Sequence, residues 1–316
     1  MRVENVQVID EAQPNLNPIK PRPILNMAIA GVLGLMLGIF LVFLIEYLDN
    51  TIKTAEDVER HLGLAVLGGI PVIKGDESGL ISMTDPKSPV TEAFRILRTN
   101  IQFSSIDKEL KTLIVTSASP TEGKSIISIN LASIIAQNDK KVLLIDCDLR
   151  KPRVHENIGL ANMEGLTKVL MGDKDLYDVV HEYEDVSNFY ILTSGPIPPN
   201  PAELLGSRRM KEFLDNIKDD FDMIILDSPP IGLVTDSAVL SNIADGLLYV
   251  IAVGQTDIEV VKSGKEQLNK AKANIIGVVL NKIPIEGRAS YRYHYYQYYN
   301  YYGDEHKKGK RRRAKA

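Results

Sequence analysis

The segment TLIVTSASPTEGKS, residues 112–125, decides the fold, because it joins a predicted strand to a predicted phosphate-binding loop. Its first six residues are mostly apolar or β-branched, which is typical of a buried strand. Gly123, Lys124 and Ser125 fit the end of the P-loop pattern G-x-x-x-x-G-K-[ST], although Ala118 stands where the first glycine is usual. The segment therefore predicts a nucleotide-binding loop between a strand and a helix.

The parts of this loop have different predicted roles. Backbone N–H groups and the N-terminus of the following helix would surround the phosphates of a nucleotide. Lys124 would reach the β- and γ-phosphate oxygens, and the Ser125 hydroxyl would bind Mg²⁺. We therefore predict ATP and Mg²⁺ as cofactors, with a nucleotide-binding loop that consists of Thr121, Glu122, Gly123, Lys124, Ser125 and Ile126.

The chain from residue 111 onward alternates short apolar runs with amphipathic stretches. The runs predicted as strands are residues 112–117, 142–148, 189–194, 223–228, 246–253 and 275–281. Such alternation is typical of a parallel sheet with helices on both faces. The sequence therefore predicts an α/β fold, namely a P-loop NTPase-like, doubly wound and mainly parallel sheet.

Three aspartates lie at the predicted carboxyl ends of strands. Asp146 and Asp148 follow one strand, and Asp227 follows another. In an open α/β sheet the ligand lies beyond the carboxyl ends of the strands, so these side chains are expected to converge on the P-loop. Any one of them alone would be explained as a helix cap or turn residue. Three of them beside a GKS loop favour catalysis and the positioning of metal and water.

An uncharged segment of 22 residues, Ile24 to Ile45, precedes the predicted sheet. A helix of that length crosses a hydrocarbon core of roughly 30 Å. The sequence therefore predicts one transmembrane helix over residues 24–46.

The overall composition excludes some classes of protein. The net charge of −4 argues against a general nucleic-acid binder, so no nucleic-acid partner is expected. Cys147 is the single cysteine, which excludes an intramolecular disulfide framework. The last ten residues carry seven basic side chains, which would either attract an anionic membrane surface or keep the terminus solvated.

A tyrosine-rich stretch, YRYHYYQYYNYYG, occupies residues 291–303. Taken alone, it is typical of a low-complexity tail. In a chain with a predicted ATP site, the stretch can also supply phosphate acceptors, because a kinase transfers phosphate to a hydroxyl whereas a hydrolase uses water. The predicted phosphoacceptors are Tyr291, Tyr293, Tyr295, Tyr296, Tyr298, Tyr299, Tyr301 and Tyr302.

Together these motifs resemble the bacterial tyrosine kinases (BY-kinases) of capsular and exopolysaccharide synthesis, joined to the C-terminal membrane segment of their chain-length-determining adaptor. ASPTEGKS resembles the Walker A motif of that family, LLIDCDLR its Walker A′ motif and IILDSPP its Walker B motif. The family's oligomerisation motif, E-x-x-R-x-x-R, is matched by Glu92, Arg95 and Arg98. The same charges alone would fit a solvated helix face.

The resemblance implies roles for individual residues. Lys124 would hold the phosphates, Ser125 and Asp148 would serve the Mg²⁺ site, and Asp227 would orient metal-bound water. Asp146 would accept the proton of the incoming tyrosine. Asn281 would contact the adenine edge, although a turn residue that ends a strand explains it equally well.

The resemblance also implies an activity, partners and a location. The protein would phosphorylate its own tyrosine cluster in trans, within a ring-like homo-oligomer that the family makes an octamer, and would regulate polysaccharide polymerisation or export. A membrane adaptor and a phosphotyrosine phosphatase would be its other partners. The expected segments are an extracytoplasmic stretch (1–23), the membrane helix (24–46), a juxtamembrane adaptor-like segment and linker (47–90), a cytoplasmic kinase domain (91–286) and the tail (287–316).

Two alternatives remain at this point. One is a membrane-tethered relative of the MinD/ParA switch ATPases, which normally carry an early loop lysine where this chain has Ser119. Those ATPases also lack a tyrosine cluster. The other is an interaction module in which nucleotide binding controls assembly and the tyrosines form an adhesive surface.

Overall fold

The computed structural model describes residues 20–73, 79–104 and 109–284. The chain divides into two compact units, Met1–Asn50 and Thr51–Ala316. In the first unit the described part is dominated by one helix. In the second it forms an α/β structure around a single sheet.

Helix α1 of the first unit spans Pro23–Leu48 and buries none of its side chains. At 1.5 Å per residue, its 26 residues extend about 39 Å. In the described ranges it is the one helix long and apolar enough to cross a membrane, judged by length and composition alone. The helix predicted over residues 24–46 is therefore present, with bounds a little wider than expected.

The second unit contains an eight-stranded sheet with the order β1-β8-β7-β2-β6-β3-β5-β4. Its strands are β1 (Val66–Pro71), β2 (Thr112–Ser117), β3 (Val142–Asp146), β4 (His181–Glu182), β5 (Phe189–Leu192), β6 (Met223–Asp227), β7 (Gly246–Ala252) and β8 (Ile275–Ile283). The pairings among β1, β8, β7, β2, β6, β3 and β5 are parallel, and β4 pairs antiparallel with β5. The predicted mainly parallel, doubly wound fold is confirmed.

Helices cover both faces of this sheet. They are α2 (Ala55–Leu62), α3 (Ile81–Thr84), α4 (Pro89–Ser104), α5 (Lys124–Ala136), α6 (Val154–Ile158), α7 (Leu166–Met171), α8 (Leu176–Val179), α9 (Pro201–Leu205), α10 (Arg208–Ile217), α11 (Asp236–Leu240) and α12 (Ile258–Lys270). Successive residues of a strand point to opposite faces. Accordingly, Ile114 of β2 lies in one hydrophobic cluster, while Leu113 and Val115 lie in the other. Burial on both faces explains why the strand sequences are almost continuously apolar.

Helix α2 shows how local sequence signals set the ends of an element. The Thr54 hydroxyl accepts a hydrogen bond from the Asp57 N–H, and the Asp57 carboxylate accepts one from the Thr54 N–H. These two bonds form a capping box. Gly63 ends the helix in the left-handed conformation, at φ 61°. Both ends of α2 are therefore set by residues within or next to the helix.

The compact unit begins earlier than the sequence suggested. Residues 47–90 were expected to be a juxtamembrane segment and linker, with the kinase domain starting at residue 91. In the structure, β1 pairs with β8 as an edge strand, and Ile52, Val58 and Leu62 are buried in a core cluster. The unit therefore starts at Thr51. β1 pairs with a strand more than 200 residues away in the chain, which local sequence pattern does not reveal.

Candidate nucleotide-binding site

The predicted P-loop connects β2 to α5 at the carboxyl edge of the sheet. Thr121 and Gly123 both have positive φ, at 62° and 88°. A Cβ atom on Gly123 would lie 2.2 Å from the amide nitrogen of Asn281, so both the turn and the close approach require glycine here. Helix α5 begins at Lys124. The first N–H groups of a helix lack intrahelical acceptors, so this end of α5 can bind phosphate oxygens.

Lys124 lies between two of the predicted aspartates. Its Nζ is 2.9 Å from Oδ2 of Asp148 and 3.4 Å from Oδ2 of Asp227. Burial alone lowers the pKa of Lys124, but the carboxylates of Asp227 and Asp148 outweigh that effect and leave this pKa raised. The lysine therefore stays cationic and is paired with two carboxylates.

Asp227, the last residue of β6, binds the start of α5 through both oxygens. Oδ2 accepts a hydrogen bond from the Ser125 hydroxyl at 2.6 Å, and Oδ1 accepts one from the Ser128 hydroxyl at 3.0 Å. Burial raises the pKa of Asp227, against the lowering effect of Lys124 and Ser125. The contact of Ser128 with Asp227 was not predicted from the sequence. Its position one helical turn after Lys124 is the signal that could have indicated it.

Asp146 and Asp148 shape the turn that follows β3. The two oxygens of Asp146 accept hydrogen bonds from the N–H groups of Asp148 and Val154, each at 3.1 Å. Asp148 turns Oδ1 to the N–H of Lys151 at 3.0 Å, and its Oδ2 pairs with Lys124. Burial, together with the nearby Asp227 carboxylate, raises the pKa of Asp146 to about 8.

The predicted catalytic residues are thus brought together. β2, β6 and β3 are neighbours in the sheet, and Asp146 is directly paired with Asp227 in the register. Lys124 reaches the carboxylates of Asp148 and Asp227 from the beginning of α5. The expected convergence of these side chains on the P-loop is therefore seen, and their catalytic roles stay predictions.

The donor set fits Mg²⁺. Among the residues that the structure describes, no group of three or more His, Cys, Asp or Glu side chains is arranged to hold a metal ion. Mg²⁺ in phosphate sites uses one or two carboxylates and completes its shell with waters and phosphate oxygens. The Ser125 hydroxyl in contact with the Asp227 carboxylate, with Asp148 beside Lys124, supplies such hard oxygen ligands.

An ion pair near the site was not predicted. The Arg150 guanidinium donates through Nε and Nη2 to the two carboxylate oxygens of the buried Asp236, at 2.8 and 3.1 Å. Asp236 begins α11, which follows the loop after β6. The pair therefore ties the loop after β3 to the loop after β6. Arg150 stands in a recognisable motif, but nothing in the sequence marks Asp236 as its partner.

Asn281 lies on the other side of the P-loop, on β8. Its amide Nδ2 donates to the Glu122 carbonyl at 2.7 Å, and the side chain is buried. The structure thus places Asn281 against the loop backbone, and a contact with the adenine edge stays a prediction. Ser119, which stands where the switch ATPases carry a lysine, donates its N–H to the Glu122 carboxylate.

The predicted oligomerisation residues lie on α4. Glu92 pairs with Arg95 at 3.2 Å, and Arg95 also donates to the Pro86 carbonyl at 3.1 Å. Arg98 donates to the Ile134 carbonyl near the end of α5, at 3.2 Å. Glu92 and Arg95 thus form a surface pair, whereas Arg98 also has a contact inside the fold.

The predicted phosphoacceptor tyrosines lie outside the described residues, which end at Pro284. β8, the last described strand, ends at Ile283 and runs parallel to β7. Its carboxyl end is therefore at the same edge of the sheet as the P-loop.

Comparisons with known proteins agree with this geometry. A family model described as an AAA domain matches residues 111–275, and a model of the G-rich domain (GNVR) found on tyrosine kinases matches residues 1–46. Tyrosine-protein kinase YwqD of Bacillus subtilis is 44% identical over 218 residues, which cover 69% of this chain and 92% of YwqD. The chain belongs to the bacterial tyrosine kinases. This membership favours the kinase interpretation over the switch-ATPase and interaction-module alternatives.

Longer relatives extend the match across helix α1. Tyrosine-protein kinase Etk of Escherichia coli K12 is 31% identical over 312 residues, or 92% of this chain. The chain spans 43% of the length of Etk.

Solved structures match the α/β unit of this bacterial tyrosine kinase. The kinase domain of Escherichia coli Etk superposes with a TM-score of 0.70 and 32% identity, covering 75% of this chain and 96% of that one. The chimerical protein CapA2B2 gives a TM-score of 0.69 at 39% identity, covering 73% of this chain and all (100%) of that one. The fold, with its P-loop, therefore indicates nucleotide binding.

Proposed function

We propose that this chain is an ATP- and Mg²⁺-dependent protein-tyrosine kinase that phosphorylates its own cluster of tyrosines between Tyr291 and Tyr302. The observation that carries the proposal is the set of Lys124, Ser125 and three strand-end aspartates at the edge of the sheet where β8 ends. Eight tyrosine hydroxyls follow β8 in the chain. Membership of the tyrosine kinase family supports the same conclusion.

Nucleotide binding would exchange the partners of Lys124. Its ammonium, now 2.9 Å from Asp148, would turn to the β- and γ-phosphate oxygens, while the first N–H groups of α5 bind the phosphates. Ser125, Asp148 and Asp227 would hold Mg²⁺. When bound, Mg²⁺ supplies neutralisation of the phosphate charge.

Proton transfer from the tyrosine hydroxyl requires a carboxylate near the γ-phosphate. We assign this role to Asp146. In its ionised form its two oxygens each accept one backbone N–H, and a carboxylate has about four lone-pair sites, so it keeps capacity for the tyrosine hydroxyl. Asp146→Asn should abolish transfer while nucleotide still binds. If Asp148→Asn alone abolishes transfer and Asp146→Asn is active, the two roles are reversed.

Transfer in trans is proposed because the chain carries an assembly motif. β8 and β3 are four strand spacings apart, roughly 19 Å, and eight extended residues span up to about 27 Å, so tail length alone does not select between cis and trans. The exposed Glu92–Arg95 pair on α4 is the proposed contact between copies in a ring. Each added phosphate brings about −1.5 to −2 charges, so a phosphorylated cluster would weaken the ring by repulsion.

Membrane placement completes the proposal. Helix α1 would anchor the kinase as a single-pass protein with its α/β unit in the cytoplasm, where ATP is available. There it would regulate polysaccharide polymerisation or export, together with a membrane adaptor and a phosphotyrosine phosphatase. Relatives named as tyrosine-protein kinases with matches across α1, such as Etk, support this arrangement.

The test is phosphosite mapping by mass spectrometry after the purified full chain is incubated with ATP and Mg²⁺. Phosphotyrosine should appear within residues 291–302 and be absent in Lys124→Met. Mixing Lys124→Met with an active chain whose eight cluster tyrosines are phenylalanine tests the trans step, because label on the Lys124→Met tail can arise only from its neighbour. ATP hydrolysis without phosphotyrosine would refute the kinase assignment.

A further inference from the structure

A buried carboxylate lies inside the P-loop and is used by none of the steps above. It belongs to Glu122, one residue before Gly123, and only 3% of the residue is exposed. Oε2 accepts a hydrogen bond from the Ser119 N–H at 2.6 Å. Oε1 accepts one from the Ala252 N–H at 3.3 Å and one from the Thr256 hydroxyl. One carboxylate therefore joins the loop to the end of β7 and to the turn before α12.

The partners of Glu122 are themselves fixed. Its own carbonyl accepts the amide N–H of Asn281 on β8 at 2.7 Å. The Thr256 carbonyl accepts the N–H of Ile52 at 3.0 Å, and Gly254 donates its N–H to the Ile52 carbonyl at 2.8 Å. The loop is thus held by the side of the sheet formed by β7 and β8, opposite to the side that supplies the aspartates.

The charge of this group is unfavourable for the ligand of the loop. A carboxylate close to the phosphates repels them, and burial leaves the ionised form of Glu122 poorly solvated, which raises its pKa. Donors from Ser119, Ala252 and Thr256 offset that burial. The adjoining Thr121 has φ 62°, a conformation that a β-branched residue adopts only when its surroundings enforce it. The Glu122 carboxylate opposes phosphate binding by its charge, but it fixes a strained turn. Its role is therefore to maintain the conformation of the loop.

We propose that Glu122 is a positioning residue that holds the P-loop in its phosphate-accepting conformation, by bridging Ser119 to Ala252 and Thr256. This inference rests on the proposed nucleotide site. Without the bridge, the loop spends part of its time in conformations that do not bind phosphate. The apparent dissociation constant then rises in inverse proportion to the competent fraction.

Glu122→Gln in the full chain, purified in detergent micelles, tests the proposal. Glutamine has the same shape, but its NH₂ group must face either the Ser119 N–H or the Ala252 N–H, so one bridge is lost. The dissociation constant of a fluorescent ADP and the KM for ATP should each rise roughly tenfold, with kcat within about twofold. Thr256→Val should raise both constants by a smaller factor. Thr256→Ser, which keeps the hydroxyl, should bind like the wild type.

The controls separate positioning from a structural role and from the function itself. Glu212→Gln changes an exposed glutamate of α10 and should leave affinity and thermal midpoint unchanged. The Glu122→Gln/Thr256→Val double variant should bind about as weakly as Glu122→Gln, because both break the same bridge. Three results would overturn the proposal. The first is a double variant whose loss of affinity equals the product of the two single losses. The others are wild-type affinity in Glu122→Gln, and a lower thermal midpoint in Glu122→Gln with unchanged KM. Should Glu122→Gln fail to fold, Thr256→Val decides by the same affinity measurement. A wild-type chain that binds ADP but transfers no phosphate would refute the kinase assignment, and the ADP affinities would still decide the role of Glu122.

Discussion

Replacing Gly123 by alanine tests how tightly β8 holds the nucleotide loop. The added Cβ would lie 2.2 Å from Nδ2 of Asn281, so the amide must move and give up its 2.7 Å hydrogen bond to the Glu122 carbonyl. Gly123 also has φ 88°, in the left-handed region. The backbone strain costs about 1–2 kcal/mol and the lost hydrogen bond about 0.5–1.5 kcal/mol, so we expect a total of about 1.5–3.5 kcal/mol.

Because the free loop relaxes away from its phosphate-accepting conformation, that energy should appear as weaker nucleotide binding. About 1.5–3.5 kcal/mol corresponds to a roughly 10- to 400-fold higher dissociation constant for fluorescent ADP, measured by anisotropy titration of the full chain. In an Asn281→Ala background the clash and the hydrogen bond are both absent. Gly123→Ala should then cost only the backbone strain, roughly a 5- to 30-fold effect.

A matched control separates strain in the loop from strain anywhere in the fold. Gly172 also has positive φ, at 83°, and a Cβ there would meet nothing within 4 Å. Gly172→Ala should therefore lower the thermal midpoint and leave the nucleotide affinity unchanged. An equal penalty for Gly123→Ala with and without Asn281 would refute the contact between β8 and the loop.

Three further variants test other parts of the structure. Arg95→Ala should give smaller particles in light scattering and weaker autophosphorylation. Its thermal midpoint should be unchanged, because Arg95 makes only surface contacts. Unchanged particle size would contradict the assembly proposal. Arg98→Ala should also lower the thermal midpoint, since its guanidinium caps a carbonyl of α5, and an unchanged midpoint would count against that cap. Phe94→Ala empties a fully buried position in α4 and should cost about 3–5 kcal/mol of unfolding free energy in urea titrations; a cost below about 1 kcal/mol would show that the site collapses.

Local signals in the sequence predicted the elements of the fold well. The capping box at Thr54 and the glycine at position 63 define α2, because both act through hydrogen bonds within a few residues. The six predicted strands of the α/β region are present, since each is an apolar run bounded by turn residues. The P-loop and the strand-end aspartates also came together as expected, because parallel strands end at a common edge.

Contacts between distant segments could not be predicted from the sequence. β1 joins β8 across more than 200 residues, and nothing within its own sequence marks β8 as its partner. Asp236 is 86 residues from Arg150, and Asn281 is 159 residues from Glu122. A carboxylate or amide at the end of a strand or in a loop can serve as a helix cap or a turn residue. Its distant partner is therefore known only from the folded structure.

The sheet order gives the two sides of the nucleotide loop different tasks. β6 and β3, on one side of β2, supply the buried carboxylates that face Lys124. β7 and β8, on the other side, supply the groups that hold the Glu122 carboxylate and carbonyl. Since the pKa of Asp146 is raised to about 8, the charge balance near Lys124 rests on Asp148 and Asp227. These two carboxylates still outnumber the one ammonium, so a polyphosphate would meet excess negative charge unless a divalent cation enters with it. The proposed need for Mg²⁺ thus follows from the side of the loop that supplies the carboxylates, and the shape of the loop follows from the opposite side.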